Sequence, residues 1–262
     1  MERTEILMFK DEIVAFVKSL ETTNLGTFIR LDKSTLIIDS THNKPNIHIN
    51  EDIWKTRRPI VESRLKAIAG QSKKIPARLC KVRRIDQPTL DKFLIDNHLQ
   101  GTTKAKFKYG LYLPQQYFRI LNFVPDSNTT EILFAVASFS GTKSIQREEQ
   151  IFRSCELIRF TNLLGFTVVG GLDKLLQAFI REQKPDDIMT YADKDWSNGK
   201  SYLKLGFELI GTTEPEHFWI NKITFERKYA SKFTPENDDW YLIANSGNLK
   251  FLKKLKIQNS QN

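Results

Sequence analysis

Cysteine is nearly absent. The 262-residue chain holds only Cys80 and Cys155, distant from each other and from any histidine, so each reads as a small apolar filler rather than half a disulfide. A reducing, cytoplasmic setting is expected on that basis. Histidine is also scarce, and His42, His48, His98 and His217 show no metal-ligand spacing, which sets zinc aside. No apolar run approaches the ~20 residues needed to cross a bilayer. The opening stretch MERTEILMFKDEIVAF mixes acids with apolar residues and lacks a small-residue cleavage site, so neither a membrane span nor a secretory signal is expected. Internal repeats and low-complexity segments are missing. No paired acidic metal constellation stands out, which leaves nuclease chemistry without support.

What is present is a globular composition with a surplus of positive charge. Hydrophobic residues make up 40% of the chain and charged ones 27%, enough for a real core. Forty basic against 31 acidic side chains give +9, which favours an anionic partner, whether nucleic acid, a membrane surface or a phosphorylated cofactor. The surplus is clustered. SKKIPARLCKVRR carries Lys73, Lys74, Arg78, Lys81, Arg83 and Arg84, and the tail carries Lys250, Lys253, Lys254 and Lys256. Lys104, Lys106 and Lys108 alternate in KAKFKYG, so a strand there would turn all three ammoniums to one face. Such clusters are either a nucleic-acid surface or solvated faces, and no aromatic residue is placed obviously for base stacking.

The pattern divides the chain into an accessory region over 1–75, a main domain over 77–222 and a C-terminal extension over 223–262 with a hairpin and a basic tail. Ile6, Phe9, Ile13, Phe16, Val17 and Leu20 fall at helical spacing. TFIRLDKSTLIID reads as a hairpin and NIHI as a third strand. Helical periodicity returns over 52–69 and stops at Gly70, with Pro59 either starting or bending the helix. GQSKKIP is expected to be a linker. Beyond it, LCKVRRI reads as a strand and QPTLDKFLIDNHLQG as a helix opened by Pro88 and closed by Gly101. AKFKYGLYL, EILFAVASFSG and SCELIRF read as strands. TVVGG is a turn into a helix striped by Leu172, Leu175, Leu176, Phe179 and Ile180. The strand DIMTYAD, the short helix SNGKSYLKLGF and the strands FELIG and HFWI follow. Helices between late strands imply an α/β (α+β) fold whose mixed sheet is parallel in its middle and antiparallel on either side.

That order resembles the GNAT acetyltransferase fold over 77–221. YLKLGF at 202–207 is similar to the family's LYEKLGF element. FLIDNHLQG, KYGLY, ELIRF, VVGG, YADKDWSNG and KLGF together resemble a GNAT-like domain of phage and bacterial proteins, some attached to homing endonucleases. WYLIANSGNLKF is similar to that domain's closing hairpin. More distantly, YAD followed by Gly and Tyr resembles Mom, a GNAT-related phage enzyme that modifies adenine in DNA. The resemblance implies acetyl-CoA or another acyl-CoA as donor.

Acyl transfer from a thioester to an amine needs a pyrophosphate cradle, a base for the amine, donors for the developing oxyanion and a proton for the thiolate. A helix entered through glycines can supply the cradle, because free N–H groups point outward there. Thr167, Val169, Gly170, Gly171 and Leu172 are the candidates, with tight helix packing as the competing reading. The family pattern of Arg or Gln, two residues, Gly, one residue, then Gly or Ala is met here by Thr167, Gly170 and Leu172, so one place of three agrees. Tyr202 matches the tyrosine that the family uses to protonate the thiolate. Asp193, at the end of its strand, is either the general base or a helix cap beside Asp195 and Ser197. Glu156 shares a strand face with Ile158 and Phe160 and is either a second base or the partner of a lysine on the neighbouring strand. Arg159, expected on the opposite face beside Leu157, is a phosphate ligand or a carboxylate partner. Asn97, His98 and Gln100 close the first helix of the main domain, where the family forms part of its acceptor site, and Trp196 is either a stacking surface or a buried anchor. The expected function is a GNAT-type acyltransferase whose acceptor is a nucleobase or nucleic acid. The alternative is a GNAT-like module without transfer chemistry that binds nucleic acid or a protein.

Overall fold

The structure is a computed structural model and describes residues 3–20, 28–32, 34–39, 46–121, 123–147 and 149–255. The chain forms two compact units that interleave in sequence. The first takes Met1–Gln71, Ala192–Ser201 and Ile210–Lys250, the second Ser72–Tyr191, Tyr202–Leu209 and Phe251–Asn262. Among the described residues no helix is long and apolar enough to cross a membrane.

The first unit opens with α1 (Arg3–Ser19), which buries Phe9 and Ile13 one turn apart. The antiparallel pair β1 (Phe28–Asp32) and β2 (Thr35–Asp39) follows the expected hairpin, whose turn residue Lys33 lies outside the described residues. β3 (Ile47–Asn50) adds to β2. α2 (Glu51–Ile68) is bent, as its proline predicts: Arg57 leaves the helical region at φ −133, two residues before Pro59. The proline has no N–H to give to the preceding turn, and its ring crowds the carbonyl there.

The boundary between the units, after Gln71, falls within the expected linker GQSKKIP, whose last four residues are a strand. β4 (Lys73–Pro76) buries Ile75 and pairs in parallel with β10 (Phe166–Val169), which takes up part of the expected glycine turn. Between them run β5 (Lys81–Arg84), α3 (Gln87–Asn97), β6 (Phe107–Pro114), β7 (Glu131–Phe139), β8 (Lys143–Arg147) and β9 (Gln150–Asn162). α3 has its start signals, since the Asp86 carboxylate accepts from Thr89 N at 3.0 Å and Pro88 sits in the first turn, but it ends at Asn97, short of the Gly101 expected to close it. β6 begins only at Phe107. Lys104 and Lys106 therefore lie in irregular chain, and Lys108 alone of the three is in the strand, where its Nζ donates to Ala105 O at 2.9 Å. The single basic face expected of these lysines is not formed.

After β10 come α4 (Gly171–Gln183), β11 (Asp187–Asp193), α5 (Lys200–Lys204) and β12 (Glu208–Thr212). β13 (His217–Asn221) is the centre of a small antiparallel sheet between β14 (Arg227–Tyr229) and β15 (Trp240–Ala244). β16 (Asn248–Lys254) belongs to the large sheet, so WYLIANSGNLKF is not a hairpin. Gly247 allows the change of sheet: its φ is +76, and a Cβ there would lie 2.3 Å from Thr213 O.

The large sheet runs β12-β16-β11-β9-β7-β6-β5, with β8 paired to β9. β9 and β11 are parallel, while β5 through β9 alternate as antiparallel neighbours, which gives the mixed sheet with flanking helices that the pattern predicts. α4 covers one face, where Phe179 stacks on Phe139 at a 3.9 Å centroid separation. α3 covers the other through Leu90, Phe93 and Leu94 against Val136.

Candidate functional site

The amino end of α4 is shaped by two glycines with different tasks. Gly170 is the N-cap at φ +76, a backbone state that suits glycine, and contributes no side chain to cap the helix. It is exposed, and the nearest atom to a Cβ placed there would be Ala77 Cβ at 3.7 Å. Gly171 is buried, and a Cβ on it would meet Val168 at 3.0 Å and Leu111 at 3.2 Å. So Gly171 serves close packing and Gly170 keeps the helix end open. The first-turn N–H groups have no intrahelical acceptor and give this end a partial positive charge. Val169 is exposed and Leu172 half-buried. The Asp173 carboxylate turns along the helix to accept from Gln177 at 3.3 Å. Lys174 donates to Ala77 O at 3.0 Å and Cys80 O at 2.6 Å, tying the helix to the turn after β4. Thr167 is committed elsewhere, with Oγ1 2.7 Å from Ser72 Oγ.

Beside this helix the sheet opens. β9 and β11 pair only from Ser154–Asp187 to Leu157–Thr190, while β9 runs on to Asn162. Thr190 Oγ1 donates to Leu157 O at 3.0 Å and so satisfies the last carbonyl before the strands part. A β-bulge lies at the same level. Ser138 pairs with Arg159 and Phe139 with Leu157, so Ile158 is an extra residue in β9. Paired residues share a face and neighbours in β7 alternate, which puts Leu157 with Phe139 on the α4 side and Arg159 with Ser138 on the α3 side. The expected placement of Arg159 beside Leu157 is thereby corrected. Arg159 shares a face with Glu156.

Glu156 is half-buried and lies opposite Met189 of β11. Its carboxylate makes no hydrogen bond or ion pair among the described residues: Lys143 of the neighbouring strand β8 lies opposite Ser154 and is not paired with it. Tyr191, two residues beyond Met189, is 37% exposed on the same face. Burial and the Glu156 charge push its phenol up. Among the described residues its hydroxyl reaches only the Met189 sulfur, at 3.7 Å.

Tyr202 lies in α5, half-buried, with its ring 5.6 Å from Phe207 and 5.4 Å from Phe251. Leu205 N and Phe207 N donate to its carbonyl at 3.0 and 3.1 Å and close the helix at Gly206, where φ is +77. The KLGF element thus sets the orientation of the tyrosine.

Asp193 and Trp196 belong to the first unit. Burial, then the charge of Asp195, pushes the Asp193 carboxyl up to about 6, against opposing pulls from the Asp195 N–H, Arg64 and Arg227. It also caps its own turn, accepting from Asp195 N at 2.9 Å. Asp195 accepts from Ser246 N at 3.0 Å and lies 3.4 Å from His48 Nδ1. Ser246 Oγ reaches that same nitrogen at 3.2 Å, so these three side chains cannot relay a proton across the imidazole as a serine–histidine–aspartate triad does. Trp196 is a buried anchor with the Arg64 guanidinium 5.0 Å over its ring. Sequence gave no hint of the bidentate pair Arg227–Asp52, at 2.8 Å for each bond, because its members are 175 positions apart.

The remaining candidates are spread over the second unit. Asn97 is buried and tied to backbone, donating to Phe93 O and accepting from Leu164 N, each at 2.8 Å. His98 Nδ1 accepts from Gln100 N at 3.1 Å, and Gln100 is exposed. Of the basic stretch, Arg83 pairs with Glu131 at 2.7 Å and Arg84 with Glu182, while Lys74, Arg78 and Lys81 are exposed. Lys254 pairs with Glu208 at 3.6 Å, and Lys256 lies outside the described residues. Cys80 and Cys155 are free and buried, and burial pushes the Cys80 thiol up to about 11.

No protein-family profile and no curated protein matches the chain. Similar solved structures include a Bacillus subtilis acetyltransferase in complex with CoA, at 12% identity and a TM-score of 0.37, covering 68% of this chain and 99% of that one. Another is a histone acetyltransferase and related acetyltransferase from Corynebacterium glutamicum, at 13% identity and 0.38, covering 69% and 98%. A third is the KacTA–DNA complex, at 15% and 0.34, covering 63% and 92%. Values this low carry no argument about activity, and the fold class stands on the strand order and packing above.

Proposed function

We propose that this chain is a GNAT-type, acyltransferase-like protein that holds an acyl-CoA or related donor and passes its acyl group to an amine. The observation that carries this reading is the parallel pair β9–β11, which separates beyond Leu157 and Thr190 while its crossover helix opens on the exposed Gly170. A pyrophosphate fits the α4 end: N–H groups of 171–173 would hold it, and no side chain of Gly170 stands in its way. Glu156, a carboxylate without a counter-ion at the level of the bulge, would take the proton of the attacking amine. The amine nitrogen bonds to the acyl carbon as the carbon–sulfur bond breaks. Tyr202 would return a proton to the departing thiolate.

The test is thermal denaturation with CoA and, separately, with pantetheine, which lacks the pyrophosphate. CoA raises the midpoint and pantetheine does not. Gly170→Val removes the CoA shift because its side chain fills the space over the helix end.

One observation favours a second reading, a GNAT-like module that binds nucleic acid without transfer chemistry. The Thr167 hydroxyl is taken by Ser72, and Leu172 offers a phosphate no polar group. The surface for nucleic acid would then be Lys73, Lys74, Arg78 and Lys81. A midpoint unmoved by millimolar CoA supports this reading instead.

A further inference from the structure

The bulge at Ile158 changes what the α3 face of the sheet can recognise. Glu156 and Arg159 are separated by an odd number of positions and in a regular strand would point to opposite faces. The extra residue brings both to one face, carboxylate and guanidinium along the same strand. Arg159 is steadied there by its Nη1, which donates to Ile158 O at 2.9 Å. Opposite Arg159 in the ladder, Ser138 is 0% exposed and its hydroxyl has no hydrogen-bond partner among the described residues. A buried hydroxyl in that state is costly unless something completes it. Tyr191 adds a phenol on the Glu156 side of this group.

We infer that this face binds a dipeptide-sized amine that carries its own carboxylate, with the ammonium at Glu156 and the carboxylate at Arg159 and Ser138. Glu156 then has the cation it lacks, and Ser138 gains an acceptor for its proton. The length agrees. Two to three strand residues separate the two charged positions, about 7–10 Å, and a dipeptide spans about 7 Å. This deepens the acyltransferase reading by naming its acceptor, and it rests on that reading for the transfer step, in which Glu156 takes the proton that leaves the amine as the carbon–nitrogen bond forms. Arg159 acts as a specificity residue.

Glycylglycine and glycylglycine amide, titrated by calorimetry with and without CoA, test the inference apart from turnover. The dipeptide is expected to bind at least tenfold more tightly than its amide. Arg159→Gln should erase that preference, Arg159→Lys should keep part of it, and Glu156→Gln should weaken both ligands. Equal affinity for acid and amide, a preference that survives Arg159→Gln in a protein of unchanged melting midpoint, or binding of neither ligand overturns the inference. If the dipeptide preference holds while CoA fails to bind, the acyltransferase reading falls and the site stands. If CoA binds but acid and amide are not distinguished, the reverse is true.

Discussion

Replacing Asp193 by asparagine is expected to stabilise the protein at neutral pH. Burial and the neighbouring Asp195 raise the Asp193 carboxyl from 3.8 to about 6, so between those values the folded chain keeps a proton that the unfolded chain has released. A group bound more tightly to its proton in the folded state makes stability fall as pH rises through that window. Above the window the ionised side chain costs about 3 kcal/mol relative to its protonated form. Asparagine keeps the acceptor for Asp195 N, since its Oδ1 can replace the carboxylate oxygen now 2.9 Å away. Its added N–H groups need partners, which takes back about 1–3 kcal/mol if they find none. The net expectation is a gain on the order of 0–3 kcal/mol at about pH 8, falling by roughly 2 kcal/mol toward about pH 4 as the wild-type carboxyl regains its proton. Urea unfolding midpoints of both proteins across that range give the measurement, read as variant minus wild type so that other carboxyls cancel. A difference that does not change with pH, or a variant less stable than wild type at pH 8, refutes the reasoning.

Gly171→Ala should lower stability by about 1–3 kcal/mol through overpacking, because its Cβ meets Val168 and Leu111, whereas Gly170→Ala should cost about 1 kcal/mol through its positive φ alone; chemical denaturation separates the two. Asp52→Ala leaves the Arg227 guanidinium half-buried without its carboxylate and should destabilise by about 3–5 kcal/mol, seen as a lower urea midpoint. Tyr202→Phe should reduce kcat for acyl transfer with little change in KM or melting midpoint, and an unchanged kcat removes the tyrosine from the chemistry. Replacing Lys74, Arg78 and Lys81 with glutamate should weaken salt-sensitive retention on single-stranded DNA; retention indifferent to salt and to those changes removes nucleic acid as a partner of this surface.

Local patterns carried the elements whose signals are local. The capped helix α3, the apolar stripe of α4 and the bend at Pro59 followed from spacing, capping residues and ring geometry. What could not be read was decided by partners distant in sequence. SKKIP looks like a linker until Phe166–Val169 pairs with it, and WYLIANSGNLKF looks like a hairpin until Trp240–Ala244 and Asn248–Lys254 find different sheets. β8 and β14 went unrecognised because KSIQR and RKY are short and polar and gain order only beside β9 and β13. At the candidate site, the glycine entrance of α4 and the short helix that carries Tyr202 were legible as motifs. The common face of Glu156 and Arg159 was not, because a bulge appears only when two strands are laid side by side. The buried ionic pair of the first unit carried no motif at all.

The position of β16 sets an order of assembly. Among the described strands it comes last in chain order, yet it sits inside the large sheet between β11 and β12 rather than at a rim. Until residue 254 has been synthesised, β11 therefore offers an open ladder where its neighbour belongs, and β12 has no strand to join. A nascent or truncated chain lacking those few residues would expose two adhesive edges, so shielding the gap during synthesis is a demand that this topology places on the cell.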